Sequence, residues 1–522
     1  MEQLQIGLFQ PGMTHLHRLG LAGLYMALEH FDAIGWKPEN GGWSITPKKI
    51  VLEWAGSAED YFRELFQRSF AIDKDGLLDF ASHRNANMGD VRRVDSSEFI
   101  RKTFLQHNKQ NMIPKGTAEK IKTILLDDVQ TQVRFKPFVK SYATMRAWTE
   151  MIDKKGLLKD RVEIKGWLFP GAVVRHEAFS KDNVLTEPCG KYICLVYAPA
   201  ACIFFKLSHR KKDGSWDNKR ANAIVMPHIE DLEGYARRFS RYLKAKPEVC
   251  VADGMADAGL SALVLLTAED RLRRFPVSGF TVYTMGSVSW NKQQQRRTGV
   301  LTAEDMPQEV IGAFTIAMNL LQNRIVFRKV EEKQNAGETG FFVAVSRVRG
   351  LAADNIASGE PWYSGFVDLV QSKDTWSLTT FEKGGIYNMI QEMPWENSAE
   401  KHLVDALHVS IRNRFGRLAE EAKSRGESPE NLWERERSRI RSGMVRAKNA
   451  QTLRAEVVDL LSRGNANKVM QEKWKEITPL LNGDDWQRVR DLSLLALVSY
   501  KGKGAPLMGS ETEDVDLVVE DK

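Results

Sequence analysis

The sequence is short of the features that mark a secreted domain, a membrane protein or a familiar enzyme. Four cysteines in 522 residues do not make a disulfide framework. Cys189, Cys194, Cys202 and Cys250 include no C-x-x-C pair and read as small core residues, Cys194 and Cys202 within strand runs. The opening "MEQLQIGLFQPG" has no basic region followed by a long apolar one, so no signal peptide is expected. The longest apolar stretch, "KYICLVYAPAACIFFKL" (191–207), is broken by Pro199 and reads as two buried strands, not a membrane span. These absences predict a cytoplasmic protein with no membrane partner. Also missing are a Walker A loop, a G-x-S-x-G elbow and an H-E-x-x-H pair, which leaves catalysis without a candidate site and no cofactor expected. His15 and His17 in "THLHR" lack a partner at ligand spacing and, two residues apart on a helix, share no face; capping or packing is the expected role. Asp253 and Asp257 in "ADGMADAG" read as a capped turn.

What is present is positive charge. The formal charge is +7, but the tail 509–522 holds six acids against one lysine, so its −5 leaves +12 on residues 1–508. A strongly basic body is the electrostatic footprint of a nucleic-acid binder. Three segments concentrate it. "SHRKKDGSWDNKR" places His209, Arg210, Lys211 and Lys212 before a D-G turn and Lys219 and Arg220 after it, the layout of a basic hairpin tip. "WNKQQQRR" follows an apolar strand with Asn291, Lys292, Gln293, Gln294, Gln295, Arg296 and Arg297. Amides can engage adenine, cations guanine, and all of them phosphate. Each segment also has a plain reading, as a solvated turn or strand end. In the C-terminal region Arg412, Arg414, Arg417, Arg437, Arg441 and Lys448 stand among glutamates. They are either a solvated ion-paired face or, with Arg437, Arg441 and Lys448 near one side, a phosphate track.

The expected fold class is α+β: a large mixed N-terminal body with a β-rich middle, then an all-α C-terminal bundle. Strands are predicted at 4–10, in "EIKGWLF", "KYICLVYA", "ACIFFKLS" and "GFTVYTMGSVSW", and at 362–370. Helices are predicted after an N-cap at Thr14, with Leu16, Leu19, Leu24, Leu28 and Phe31 on one stripe, and at 57–70, 117–130, 142–153, 228–245 and 267–274. Gly20 and Gly23 weaken the first helix by about 1 kcal/mol each, and close approach of another backbone is the expected return. "TAED" at 267–270 and 302–305 reads as two N-caps. From Ser398 to Tyr500 helical periodicity dominates, giving four or five helices, with Leu403, Leu407, Ile411, Phe415 and Leu418 on the first stripe. The expected division is 1–388 and 389–522. "EKGGIYNM" permits a purine-rich ribosome-binding sequence ahead of Met389, so a second product of 134 residues is conceivable; a plain boundary turn is the alternative, and Met393 or Met444 could also serve.

"FQPGMTHLHRLGLAGLYMAL" and "SVSWNKQQQRRTGVL" together resemble the large subunit of type I CRISPR surveillance complexes (Cascade), Myxan-type branch. The resemblance implies a non-catalytic subunit that sits by the 5′ handle of a guide RNA and reads a protospacer-adjacent motif in target duplex DNA. It would help to open that duplex. Its C-terminal bundle would resemble the small subunits that track a strand. Implied partners are guide RNA, target DNA, the backbone, handle-binding and small Cascade subunits, and a helicase-nuclease or transposition proteins. Two other readings stay open: a metal-dependent nuclease of the same defence class, and a scaffold without direct DNA readout.

Overall fold

The computed structural model describes residues 1–172, 184–208, 222–267, 276–288, 291–329, 339–463 and 467–502. Strand β1 (Glu2–Gly7) leads into a turn where Gly12 takes φ +77°, a conformation that costs glycine least. Thr14 then caps α1 (His15–Ala33) in a reciprocal box: its hydroxyl accepts from the His17 N–H and lies 2.7 Å from the His17 ring Nδ1. The stripe from Leu16 to Phe31 is buried, and so are most residues between, which makes α1 an interior helix. β2 (Gly41–Thr46) and β3 (Lys49–Trp54) join β1 in an antiparallel sheet of order β1–β3–β2, followed by α2 (Ala58–Ser69).

The expected helix at 117–130 is instead a hairpin of β4 (Lys120–Leu126) and β5 (Val129–Phe135). Asp127 and Asp128 turn it with φ of 45° and 64°, and the period-two pattern of the flanks outweighs their helix propensity. "EIKGWLF" is mostly not a strand: a short one at Arg161–Glu163 gives way to a 3-10 turn at Gly166–Leu168. "KYICLVYA" lies in helix α3 (Cys189–Tyr197), which places Cys194 on a helix. A short apolar run buried on every side has no periodicity to tell helix from strand. Gly20 and Gly23 show what decides it. A Cβ on Gly20 would overlap the carbonyl oxygen of Cys194, and one on Gly23 would stand 2.5 Å from that of Tyr197. The two helices touch backbone to backbone, as the glycines implied.

A second sheet follows, built from β6 (Ile203–Leu207), β7 (Asn222–Ile229), β8 (Val251–Ala252), β9 (Val277–Val288) and β10 (Asn291–Ala303) in the order β8–β6–β7–β9–β10. The β6–β8 pair is parallel and the others antiparallel. Helices at Leu232–Lys244, capped by Asp231, and at Met255–Leu266 interrupt it. Asp257 accepts the Asp253 N–H at 2.9 Å, the capped turn that "ADGMADAG" suggested. The second "TAED" does not cap a helix, and the helix expected of the first, at 267–274, falls outside the described residues. Thr267 ends the helix Met255–Leu266, and Thr302 is inside β10.

The chain divides into two units: Met1–Lys211, Ser215–Thr315 and Gln322–Ser346 in the first, and Lys212–Gly214, Ile316–Leu321 and Arg347–Lys522 in the second. In the second, "WYSGFVDLV" is not a strand. It turns at Gly365 (φ 74°) into a 3-10 helix at Phe366–Leu369, because the N–H groups of Gly365 and Val367 donate to the buried carboxylate of Asp491. Five helices form the bundle: Ser398–Ser424, Glu430–Arg446, Ala450–Ser462, Lys468–Asn482 and Trp486–Ser499. The stripe Leu403, Leu407, Ile411, Phe415 and Leu418 is buried. Met389 lies fully buried within the helix Lys383–Glu392. A product starting there would lack Tyr363, whose hydroxyl donates to the buried Glu400 at 2.6 Å, and both N–H groups on Asp491.

Gly20→Ala is expected to destabilise the protein by about 3 kcal/mol or more, since a backbone carbonyl cannot be pushed aside like a side-chain tip. Gly312→Ala is the control. It is an exposed glycine of the helix Gln308–Leu320 with nothing within 4 Å of an added Cβ, and the change should stabilise by roughly 0.5–1 kcal/mol. Urea unfolding of the two variants should shift in opposite directions; a harmless Gly20→Ala would disprove the backbone contact.

Candidate nucleic-acid interface

Register across the second sheet determines where its polar segments emerge. Lys206 on β6 pairs with Asn222 on β7, Asn222 with Met285 on β9, and Met285 with Arg297 on β10. These four residues form one row across the sheet. The chain leaves the sheet after Leu207 and re-enters at Asn222, so both ends of the segment carrying His209, Arg210, Lys211, Lys212, Lys219 and Arg220 lie at this end. The segment itself lies outside the described residues. The β9–β10 hairpin extends past the same row and carries Asn291–Arg297. The run is therefore strand, and not a loop. Its backbone is irregular: Val288 pairs with Asn291 but Ser287 with Gln295, so Lys292, Gln293 and Gln294 form a bulge without Cα partners on β9. Leu207 and Asn222, which flank the first segment, thus lie at the end of the sheet where the second one emerges. β10 is also an edge strand, where cationic residues guard against edge-to-edge pairing, so the run has a structural use as well.

The opening motif lies at the opposite end. His15 stacks on His228 with ring centroids 3.6 Å apart, and His228 is six residues along β7 from Asn222, about 20 Å at strand rise. The polar run Asn291–Arg297 and His15 therefore lie towards opposite ends of the sheet. Around His15 the side chains are organised but only partly covered. Phe9 is 48% exposed, and the Arg18 guanidinium and the Lys48 ammonium each lie 4.9 Å from its ring centroid. Lys48 also donates to the Glu230 carbonyl, and the Arg18 Nε is buried with no hydrogen-bond partner. This aromatic–cation group was invisible in sequence, because Lys48 enters from the turn between β2 and β3; a lone exposed Phe9 is the only signal. Burial lowers the pKa of His228 to about 4, helped by His15 and Arg18, and lowers that of His15 as well. His17 is also held to about 4, by burial and then Lys191. All three are neutral packing or capping groups at physiological pH.

The C-terminal arginines are largely engaged within their own unit. Arg414 pairs at 3.1 Å with Glu436, which Arg439 shares at 3.0 Å, and Arg417 donates to the Arg463 carbonyl. Arg437 stacks on Phe415 and Arg441 on Trp376, 5.3 and 5.2 Å from the ring centroids. Arg412 hydrogen-bonds Tyr500. Lys448 is exposed but lies beyond the end of the helix Glu430–Arg446, so it does not share a helix face with Arg437 and Arg441. Stacked guanidiniums keep N–H edges that can still meet phosphate. Among the described residues no three His, Cys, Asp or Glu side chains gather as a metal site, and no helix is long and apolar enough to cross a membrane.

Comparison with known proteins covers both ends of the chain. The DevT N-terminal domain matches residues 5–196 and the DevT C-terminal domain residues 391–522. A protein of Myxococcus xanthus (strain DK1622) described as CRISPR-associated protein Cas8a1/Csx13 is 29% identical over 541 aligned positions, spanning 98% of this chain and 91% of the relative.

The histidine stack carries a pH signature. Each ring has a folded pKa below its unfolded value of about 6.5, so the unfolded state takes up protons first as pH falls. The contribution is complete above pH ~6.5 and lost towards pH ~4. His228→Phe keeps a ring against His15 but cannot protonate. Although it forfeits the 2.9 Å contact to Thr281, its unfolding free energy from urea titration should fall less between pH 7.5 and 5 than that of the wild type, by on the order of 1–2 kcal/mol. Parallel slopes would show that the stack does not control acid stability.

Proposed function

We propose that this chain is a large subunit of the Myxan-type Cascade family, which recognises a protospacer-adjacent motif and helps open target duplex DNA; both DevT domains match it in order, and a Cas8a1/Csx13 protein aligns with it nearly end to end. The observation that favours this reading is the sheet register, in which Lys206 and Asn222, on either side of the basic segment 209–220, share one row with Arg297. In RNA-guided recognition, base pairing supplies most of the sequence specificity. The protein then needs only a few base-edge donors beside many phosphate contacts. Gln293, Gln294 and Gln295 are the proposed base readers, and Asn291, Lys292, Arg296 and Arg297 frame them. His209, Arg210, Lys211, Lys212, Lys219 and Arg220 are the proposed phosphate contacts. The division of labour runs between residues 1–388, facing guide handle and motif DNA, and 389–522, where Arg412, Arg414, Arg417, Arg437, Arg441 and Lys448 follow a strand backbone. The subunit works without catalysis or cofactor, in the cytoplasm, with guide RNA and the other Cascade subunits. A helicase-nuclease or transposition proteins would act downstream.

Replacing Lys211, Lys212, Lys219 and Arg220 by Ala should weaken binding to every duplex alike and reduce the salt slope by up to about 0.9 per lost phosphate contact. Replacing Gln293, Gln294 and Gln295 should cost about 1–3 kcal/mol per lost base pairing on the correct motif and much less on random duplex. Equal losses on both would leave a phosphate clamp with no base reading. Binding that is indifferent to salt in the wild type would favour a scaffold instead.

Matched duplex incubated with the assembled complex and Mg²⁺ should be bound and remain uncut. Strand scission by the purified subunit that a chelator abolishes would make it a nuclease.

A further inference from the structure

The first unit contains a cleft that no run in the sequence announces. Its volume is about 1330 Å³, and its walls come from three separated stretches: 106–110, 136–150 and 163–167. None of these belongs to β6–β10. Four cations line it against two carboxylates. Lys165 is neutralised by Glu150 at 2.5 Å. Lys109, Lys136 and Arg146 form no ion pair among the described residues, and only Glu163 opposes them. Beside them stand the amides of Gln106, Asn108 and Gln110, and the Gln110 Oε1 is buried with no hydrogen-bond partner.

Each feature narrows the occupant. Unpaired cations gathered in a concave site raise the local concentration of anions. The volume exceeds the 300–1,000 Å³ or so of ordinary small-molecule pockets, so a polyanion fits better than a single metabolite. A single strand is the polyanion that offers such a cleft both phosphates and base edges not already engaged in pairing. The amides supply what a strand has beyond phosphate, since Asn and Gln carry both donor and acceptor for an unpaired base edge, and a buried acceptor without a partner is a group awaiting one. We propose that this cleft is a second nucleic-acid site, which holds a single strand through Lys109, Lys136 and Arg146 and contacts an exposed base through Gln110. The inference rests on the nucleic-acid reading above but assigns single-strand binding to residues outside that sheet.

The test uses the full chain and labelled single strands of about 12 nucleotides, within the usual site size, as RNA and as DNA of the same sequence, together with a duplex. In Lys109→Gln/Lys136→Gln/Arg146→Gln, single-strand affinity should fall tenfold or more and the salt slope by about 2, at roughly 0.7 per phosphate, while duplex affinity changes less than about twofold. Gln110→Ala should cost a smaller factor without changing the slope. A stronger effect on RNA assigns the cleft to guide, and on DNA to an opened target strand. Should the triple variant not fold, lysine acylation of the wild type read by mass spectrometry gives the same answer: bound oligonucleotide should protect Lys109 and Lys136. Unchanged single-strand affinity, or absent protection, overturns the cleft proposal while leaving duplex recognition standing. A wild type that binds neither strand nor duplex overturns both. Cleft-dependent binding of an acidic peptide with the sequence of residues 509–522, in place of an oligonucleotide, would make it a peptide site and also end the proposal.

Discussion

Helix α1 reaches α3 backbone to backbone, and the first unit is arranged around that approach. Side chains normally hold two helix axes 8–10 Å apart. Gly20 and Gly23 remove them on one side, so the carbonyls of Cys194 and Tyr197 come to rest against bare Cα atoms. This buries Tyr197 where its hydroxyl meets Ser69 at 2.7 Å on α2, and so ties a third helix to the pair. It also brings the start of α1 against β7, where His15 lies on His228. The cost of two glycines in a helix is about 2 kcal/mol of propensity. What offsets it is the apolar surface of a helix buried almost all round, each fully buried Leu or Phe contributing roughly 1.5–3 kcal/mol.

The legible parts of the fold are those where a local rule met no competition. Thr14 is a cap because nothing else can satisfy the first N–H groups of α1, and Leu403 to Leu418 repeat at the helical period because one face meets the bundle core. The illegible parts are those where the surroundings decide. Apart from Lys191, Cys189–Tyr197 carries no charge and no helical periodicity, and the glycine face it packs against favours a helix. "WYSGFVDLV" has strand-like residues, but Asp491, far along the chain, claims two of its backbone N–H groups. Burial holds that carboxyl near a pKa of about 6, and the two donors work against the shift. No reading of residues 362–370 alone contains that partner.

Charge was legible as a total and not as a distribution. Cations adjacent in sequence draw attention, yet in the C-terminal bundle they sit beside the glutamates and aromatics that engage them: Glu436 holds Arg414 and Arg439, while Phe415 and Trp376 carry Arg437 and Arg441. The cleft shows the converse. Lys109, Lys136 and Arg146 are spread over almost forty residues and form no cluster until the chain folds. The sheet end is intermediate, since the run Asn291–Arg297 was legible but its row with Lys206 and Asn222 required the register Lys206–Asn222–Met285–Arg297.

Division of duplex and single-strand contacts between different elements would have a consequence for how such a subunit works. On the proposed reading, duplex is met at the sheet end and a lone strand in the cleft. Each contact is mainly electrostatic, so each alone is weak at physiological salt and readily released from the wrong sequence. Held on one chain, the second contact becomes intramolecular, with an effective concentration set by the distance the nucleic acid must span. That second contact would form only after the strands have parted, because the base edge that Gln110 would meet is engaged in pairing in a closed duplex. Motif recognition at one surface would then be reinforced by strand capture at the other. An opened target would be held more tightly than a closed one, without the protein needing to read more than a few bases.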